Sequence, residues 1–267
     1  MNQVTSRDGT RIAYEPSGAG PALLLVDGAL CSRGFGPSAR LADALSTDFT
    51  VYRYDRRGRG ESGDRTAYSP EREVDDIAAL IDRAGGSASL LGLSSGGALC
   101  LDAAAAGLPI DKVMVYEPPF VNDGTDVSTR HLEALRQLVA GGDRGGAVTY
   151  FMRDMVGAPA FVPIMMRLMP WVWRKLKAVA HTLPYDAELM TDFRIPRARY
   201  AAIRRPALVM NGSKTDPRLK AAVRTLASII PGSKHRELAR QTHNVKPGVL
   251  ASAVRSFTSG ASASQRS

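Results

Sequence analysis

The sequence predicts an α/β fold, in which a mostly parallel sheet of eight strands carries helices on both faces. Short apolar runs alternate with longer amphipathic runs along the 267 residues. The strands of a parallel sheet are buried on both sides and consist of continuous apolar residues, as in the run ALLLV at 22–26. Alternation of such strands with helical patterns is typical of a parallel sheet with crossover helices. A chain of this length suits one large domain with an insertion.

The predicted strands are short and end at turn residues. Seven of the eight are placed in the sequence, at residues 11–15, 22–26, 50–54, 89–92, 112–116, 206–211 and 234–238. We expect the first of these to be an antiparallel strand at the edge of the sheet. The predicted core helices follow the strands and occupy residues 37–46, 70–84, 96–106 and 247–257.

Residues 121–205 interrupt the alternation, because no strand pattern occurs there. This segment holds six of the nine methionines and both tryptophans. We interpret it as an inserted helical cap, with helices at residues 129–139, 145–156, 163–169 and 171–181. The predicted core domain then comprises residues 1–120 and 206–259, and residues 260–267 form a flexible polar tail. Methionine side chains fill irregular space, so the apolar residues of the cap either pack against the core or form an adaptable wall for a substrate.

Charge and composition limit the expected partners. The net charge is +9, because 28 arginines and 7 lysines outnumber 26 acidic residues. The arginines are nevertheless scattered, and no basic stripe is interleaved with aromatic residues. This pattern predicts no nucleic-acid partner. No apolar run is long enough to cross a bilayer, and the first residues lack the apolar core of a signal peptide. We therefore expect a cytoplasmic protein with no membrane partner. A homodimer is left open.

A serine lies in a turn between a predicted strand and a predicted helix. The sequence Gly92-Leu93-Ser94-Ser95-Gly96 fits the pattern G-x-S-x-G, in which glycines allow a sharp turn that lifts the serine above the sheet edge. This context predicts Ser94 as a nucleophile. The backbone N–H of Ser95, at the helix start, is the first predicted donor to an oxyanion.

A serine hydroxyl needs a base to take its proton. Of the four histidines, only His243 follows a predicted strand in a polar loop at the same edge of the sheet as Ser94. His131 and His181 lie in predicted cap helices, and His235 lies inside the last strand. His243 is therefore the predicted base.

Two carboxylates compete for the role of the acid that orients the base. Glu117 directly ends the strand KVMVY, and Pro118 stiffens the chain after it. Asp216 lies in the loop after the strand PALVMN, where the following proline also suits a helix N-cap. On the residues alone, both alternatives stay open, with Glu117 favoured.

The remaining predicted site residues surround the serine. The second oxyanion donor is expected from the loop after 22–26, as the N–H of Gly28 or of Ala29. We expect four side chains to contact the substrate, namely those of Leu30, Met155, Pro118 and Trp171. Cys31 and Cys100 show no metal or redox spacing, so both are predicted to be free thiols. We expect no metal and no cofactor.

Together these motifs resemble the α/β-hydrolase family over nearly the whole chain. The run YDRRGRGES at 54–62 looks like the family's D-x-R-G-x-G-x-S turn, which implies a structural role for its arginines. The arginine-rich residues 197–205 correspond to the return from the cap to the sheet. One departure is Asp27-Gly28, where the family usually has His-Gly.

A looser resemblance connects the chain with the fungal zearalenone lactonases. The similarity rests on Asp-Gly after the first buried strand, Ser-Ser-Gly at the serine turn and Glu-Pro after the following strand. In those enzymes the acid is the glutamate after the sixth strand, which corresponds to Glu117. The usual family acid stands three residues after a glycine, where this chain has Thr215 instead. The resemblance therefore favours Glu117 over Asp216.

The sequence thus predicts a serine hydrolase that cleaves a small apolar carboxylic ester or lactone through an acyl-enzyme. Two alternatives are a thioester or C–C bond hydrolase that uses the same residues, and a ligand-binding protein that keeps the fold without catalysis.

Overall fold

Eight strands form a single sheet in the computed structural model, which describes residues 2–65, 67–121, 128–190 and 193–259. The strand order is β1-β2-β4-β3-β5-β6-β7-β8. The strands are β1 (Asn2–Thr5), β2 (Arg11–Ser17), β3 (Ala22–Val26), β4 (Thr50–Tyr54), β5 (Ala88–Leu93), β6 (Ile110–Tyr116), β7 (Ala207–Gly212) and β8 (Lys234–Leu238). Strands β3 to β8 pair in parallel, whereas β2 is antiparallel to both β1 and β4. The predicted fold class is confirmed.

The helices in the described residues follow the strands and fill the interval between β6 and β7. They are α1 (Ser38–Leu45), α2 (Pro70–Arg83), α3 (Ser95–Ala105), α4 (Ser128–Ala140), α5 (Arg144–Tyr150), α6 (Phe161–Arg167), α7 (Pro170–Val179), α8 (Leu183–Leu189), α9 (Arg197–Tyr200), α10 (Pro217–Ile229) and α11 (Pro247–Ser259). None of them is long and apolar enough to cross a membrane.

Alternate residues of the buried strands pack on opposite faces of the sheet. In β3, Leu24 belongs to the apolar cluster that includes residues of helices α2, α3 and α10, whereas Leu23 and Leu25 belong to the cluster that includes residues of α1 and α11. This alternation follows from the two-residue period of a strand. Both faces of the sheet are therefore covered, and the ends of the parallel strands remain free to form a site.

The first strands differ from the prediction. Strand β2 is not at the edge, because β1 pairs along it and takes that place. Strand β1 has the sequence NQVT and is mostly exposed, so it lacks the apolar pattern that identifies a buried strand.

The helical segment, defined here as helices α4 to α9, lies between β6 and β7 and has its own apolar cluster. Leu135, Val148 and Leu176 belong to that cluster, which is separate from the two clusters of the sheet. No strand occurs in the described residues of this segment. Its role as a cap and the domain boundaries stay predictions, and the tail at 260–267 lies outside the described residues.

Two parts of the helical segment differ in detail from the prediction. The helix expected at 145–156 is present, but it changes from an α-helix to a π-helix, Phe151–Met155, after Tyr150. Wide turns of this kind are frequent at functional sites, and this one lines the cavity described below. Helices α8 and α9 were not predicted at all, because both are short and carry charged residues.

Candidate active site

Ser94 lies at a strained turn between β5 and α3. Its backbone has φ 53° and ψ −127°, a conformation that costs free energy in a residue other than glycine. The flanking glycines make the turn possible. A Cβ atom on Gly92 would lie 2.4 Å from the carbonyl oxygen of Gly96, and one on Gly96 would lie 2.2 Å from that of Val26. The G-x-S-x-G pattern is therefore required by close backbone packing.

His243 and Glu117 form a direct pair, although 126 positions separate them in the chain. The Nδ1 atom of His243 lies 2.8 Å from Oε2 of Glu117, whose side chain is fully buried. Glu117 has a left-handed backbone with φ 49°, and its N–H donates to the carbonyl of Met210 in β7. Because Nδ1 is engaged with the carboxylate, Nε2 is the nitrogen that remains for proton exchange.

The carboxylate of Glu117 is held in its ionised form by hydrogen bonds. Its Oε1 atom accepts from the N–H of Gly212 at 2.7 Å and from the hydroxyl of Thr215 at 2.5 Å. Burial alone would raise the pKa of Glu117, but the hydrogen bonds from His243, Gly212 and Thr215 outweigh it and lower that pKa below its ordinary value. A buried anion beside Nδ1 stabilises a protonated imidazole.

The loop that carries His243 is fixed by its neighbours. The Tyr116 hydroxyl donates to the carbonyl of Thr242 at 2.6 Å, and the N–H of Lys214 donates to the carbonyl of Gln241 at 2.9 Å. The sequence analysis did not identify Tyr116 or Thr215 as site residues. The family that the sequence resembles usually has its acid at the position of Thr215. This departure from the family pattern was the sequence signal that could have identified Thr215 as a site residue.

Asp216, the competing candidate, has a different environment. It is the N-cap of α10, where its carboxylate accepts from the backbone N–H of Arg218 at 2.8 Å. Its side chain is 52% exposed and also pairs with the Arg218 guanidinium. The structure thus brings Glu117, and not Asp216, into contact with His243.

The loop after β3 lies directly beside Ser94. A Cβ atom on Gly28 would lie 3.0 Å from Cβ and 3.6 Å from Oγ of Ser94, so glycine permits the close approach. Asp27, which precedes it, is buried, and burial raises its pKa to about 6 against the opposing charges of Arg59 and Arg56.

Two cavities meet at Ser94 and His243. The smaller has a volume of about 350 Å³ and the larger about 570 Å³. Both are lined by Ser94 and His243, together with Ala29, Phe151 and Val156. A substrate bound across Ser94 would therefore have space on both sides of its reacting carbonyl.

The predicted substrate contacts divide between the cavities and the surface. Met155 lines the smaller cavity and Leu30 the larger. Pro118 lies outside both cavities because it is packed near Gly97, and its neighbour Pro119 lines the smaller one instead. Trp171 lies outside both cavities and is 59% exposed, because α7 turns it towards the surface. Its ring lies edge-on to that of Phe35. These two placements differ from the prediction.

The other histidines have partners away from Ser94. His131 Nδ1 lies 2.9 Å from the hydroxyl of Tyr150, and His235 Nε2 lies 2.7 Å from Oδ1 of Asn211. His181 Nε2 lies 3.5 Å from a carboxylate oxygen of Asp64.

Cys31 and Cys100 are free thiols. Within the described ranges, no group of three or more His, Cys, Asp or Glu side chains is arranged to hold a metal.

Comparison with known proteins assigns the family. A sequence model described as "Alpha/beta hydrolase family" matches residues 18–251. The chain therefore belongs to the alpha/beta hydrolase family and is a hydrolase enzyme. An alpha/beta hydrolase from Sphaerobacter thermophilus DSM 20745 is 46% identical, with a TM-score of 0.90 over 96% of this chain and 100% of that chain.

More distant structures share the fold. An enol-lactonase from Burkholderia xenovorans LB400 is 23% identical, with a TM-score of 0.71 over 97% of this chain and 100% of that one. A thermophilic esterase from Thermogutta terrifontis is 20% identical, with a TM-score of 0.73 over 97% and 98% of the two chains. Among curated proteins, none matches the chain.

Proposed function

We propose that the protein is a serine hydrolase that cleaves a carboxylic ester or lactone, with Ser94 as nucleophile, His243 as base and Glu117 as acid. The observation that carries the proposal is the contact between Glu117 Oε2 and His243 Nδ1, with His243 and Ser94 lining the same two cavities. The acid–base–nucleophile arrangement is recognised by geometry and not by chain order.

In the proposed reaction, Ser94 Oγ attacks the carbonyl carbon while His243 Nε2 takes its proton. The N–H groups of Ser95 and of Gly28 or Ala29 donate to the oxyanion that forms. His243 then returns the proton to the departing alkoxide, which leaves as an alcohol or, in a lactone, stays attached to the acyl group. Water, deprotonated by His243, attacks the acyl-enzyme and releases the acid and free Ser94.

The cavities support an apolar substrate of moderate size. The larger cavity is lined mainly by aliphatic and aromatic side chains, whereas the smaller one combines Phe151 and Met155 of the π-helix with charged residues such as Lys214. Ser94 and His243 lie where the two spaces meet. Such a site favours an ester with an apolar group in the larger space, or a lactone that spans both spaces.

The direct test compares variants on p-nitrophenyl butyrate and on a macrocyclic lactone. We expect Ser94→Ala and His243→Ala to lose about 10³-fold or more in kcat on either substrate, as removal of a triad member does. His235→Ala is the control and should keep full activity, because His235 contacts Asn211 and not the cavities. Ser94→Ala with wild-type activity would refute the proposal. Activity confined to a thioester or a β-diketone would support the alternative reactions.

A fluorophosphonate probe separates catalysis from mere binding. Such probes form a covalent bond with an activated serine and release fluoride. We expect one label per chain on wild type and none on Ser94→Ala. An unlabelled wild-type protein that binds ligands tightly would instead be a non-catalytic member of the fold.

A further inference from the structure

Asp186 is a buried carboxylate of the helical segment that lies against the turn carrying Ser94. It belongs to α8, is 2% exposed and lines the smaller cavity. Its Oδ1 atom accepts hydrogen bonds from the Ser95 hydroxyl at 2.7 Å and from Arg56 Nη1 at 2.8 Å. Its Oδ2 atom accepts from Arg59 Nη2 at 2.6 Å. A single side chain therefore connects α8 with the helix start after Ser94.

The same arginines reach the loop on the other side of Ser94. Arg59 Nη1 donates to the carbonyl oxygen of Gly28 at 2.7 Å, and Arg56 Nη1 lies 3.4 Å from that of Asp27. A trans peptide bond is planar, so its C=O and the following N–H point in opposite directions. Because Arg59 fixes the carbonyl of Gly28, it also fixes the direction of the Ala29 N–H, and Ala29 lines both cavities.

The charges of the buried cluster formed by Arg56, Arg59, Asp186 and Glu73 balance one another inside the protein. Arg56 also forms two hydrogen bonds of 2.6 Å with Glu73, so the two guanidinium groups face two carboxylates. All four side chains are at most 2% exposed. Burial would raise the pKa of Asp186, but Arg59 and Arg56 outweigh it, and Asp186 is ionised. Buried charges of this kind keep a fixed geometry only while each has its partner.

We propose that Asp186 is a positioning residue that aligns both oxyanion donors with Ser94: it holds Ser95 directly, and it holds the Ala29 N–H through Arg59. The donor from the loop after β3 is then Ala29 rather than Gly28. The helical segment thereby completes the oxyanion hole, and the inference rests on the proposed function.

The test is Asp186→Asn, which keeps the shape of the side chain and removes its charge. Each protein is titrated for active sites, so that loss of folded enzyme does not count as loss of rate. We expect kcat per active site to fall about 10- to 100-fold, below the full loss of one oxyanion donor, with KM changed less than about threefold. A boronic acid provides a second readout: its boron takes up Ser94 Oγ, the proton goes to His243, and the tetrahedral anion occupies the oxyanion hole. Its inhibition constant should rise by a similar factor to the loss of kcat.

Asp76→Asn is the matched control. Asp76 also pairs with a buried arginine, Arg57, through two hydrogen bonds. The other hydrogen bonds of Arg57 go to Asp8 and to the carbonyl of Arg72, and not to the loop after β3. Both variants should melt at a lower temperature than wild type, and only Asp186→Asn should lose kcat per site and boronic acid affinity. Equal effects in the two variants would overturn the inference.

Ser95→Ala keeps the test decisive if Asp186→Asn does not fold. It removes the hydrogen bond to Asp186 and a longer one of 3.4 Å from Arg56, and it leaves the ion pairs and the backbone N–H of Ser95 in place. We expect a three- to tenfold rise in the boronic acid inhibition constant, and an unchanged constant would contradict the inference. Failure of the inference is distinct from failure of the proposed function, because the latter requires that Ser94→Ala retain activity.

Discussion

Asp27 is a buried carboxyl that lacks a full set of hydrogen-bond partners. It precedes the loop that approaches Ser94, and in the described part of the chain its Oδ1 atom has no hydrogen-bond partner. Burial raises its pKa from 3.8 to about 6, although the charges of Arg59 and Arg56 act in the opposite direction. The folded protein therefore binds the Asp27 proton more tightly than the unfolded chain does, and Asp27 ionises only above about pH 6.

This pKa predicts how stability depends on pH. A carboxyl whose pKa is higher in the folded than in the unfolded state binds more protons when folded, so its contribution to stability falls as pH rises from about 4 to about 6. A shift of about two units corresponds to about 3 kcal/mol. Asp27→Asn should match wild type near pH 4 and be more stable by up to that amount at pH 7.5.

Urea unfolding at the two pH values measures the effect, with Asp82→Asn as the control on an exposed aspartate. A constant difference between Asp27→Asn and wild type across the range would show that Asp27 does not titrate in this window.

The helical segment contributes elements that only long-range contacts explain. Helix α8 has the sequence LPYDAEL, and its aspartate is buried because arginines 127 and 130 positions away meet it. Such pairing leaves no periodic signal, so α8 could not be predicted from local pattern. Core helices α1, α2, α3 and α11 were predicted, because their apolar residues repeat at helical spacing and face a sheet. Helix α10 was not assigned from the sequence, although Asp216 was considered as a helix N-cap.

The contribution of the separate apolar cluster in the helical segment to stability can be tested with a matched pair of leucine variants. Leu135 in α4 is fully buried in that cluster, whereas Leu168, just after α6, is 77% exposed. Leu135→Ala should lower the free energy of unfolding by about 2–5 kcal/mol, because it leaves a cavity among packed side chains. Leu168→Ala should change it by less than about 0.5 kcal/mol.

Urea titration followed by circular dichroism measures both changes. Equal losses for Leu135→Ala and Leu168→Ala would mean that the cluster around Leu135 does not stabilise the fold.

At the scale of the whole molecule, three distant parts of the chain meet at one edge of the sheet. Ser94 follows β5, Glu117 follows β6 and His243 follows β8. The carboxyl ends of parallel strands share an edge, and for this reason the sequence could predict which residues converge. The choice between Glu117 and Asp216 depended mainly on a resemblance, because both follow strands that end at that edge.

The first arginine-rich motif has a structural role. Arg56, Arg57 and Arg59 are buried and paired with carboxylates of α2, α8 and the N-terminal region. Their motif could be identified from the sequence, but their partners could not, because contacts between distant residues are set by the assembled sheet and helices.

The central claim is that Glu117 orients His243 for catalysis by Ser94. The most direct measurement is kcat of Glu117→Gln and Asp216→Asn on one activated ester, since each change neutralises one of the two competing carboxylates. We expect Glu117→Gln to lose about 10³-fold or more, because it removes the anion 2.8 Å from Nδ1 of His243. Asp216→Asn should stay within about threefold of wild type. An inactive Asp216→Asn together with an active Glu117→Gln would contradict the account.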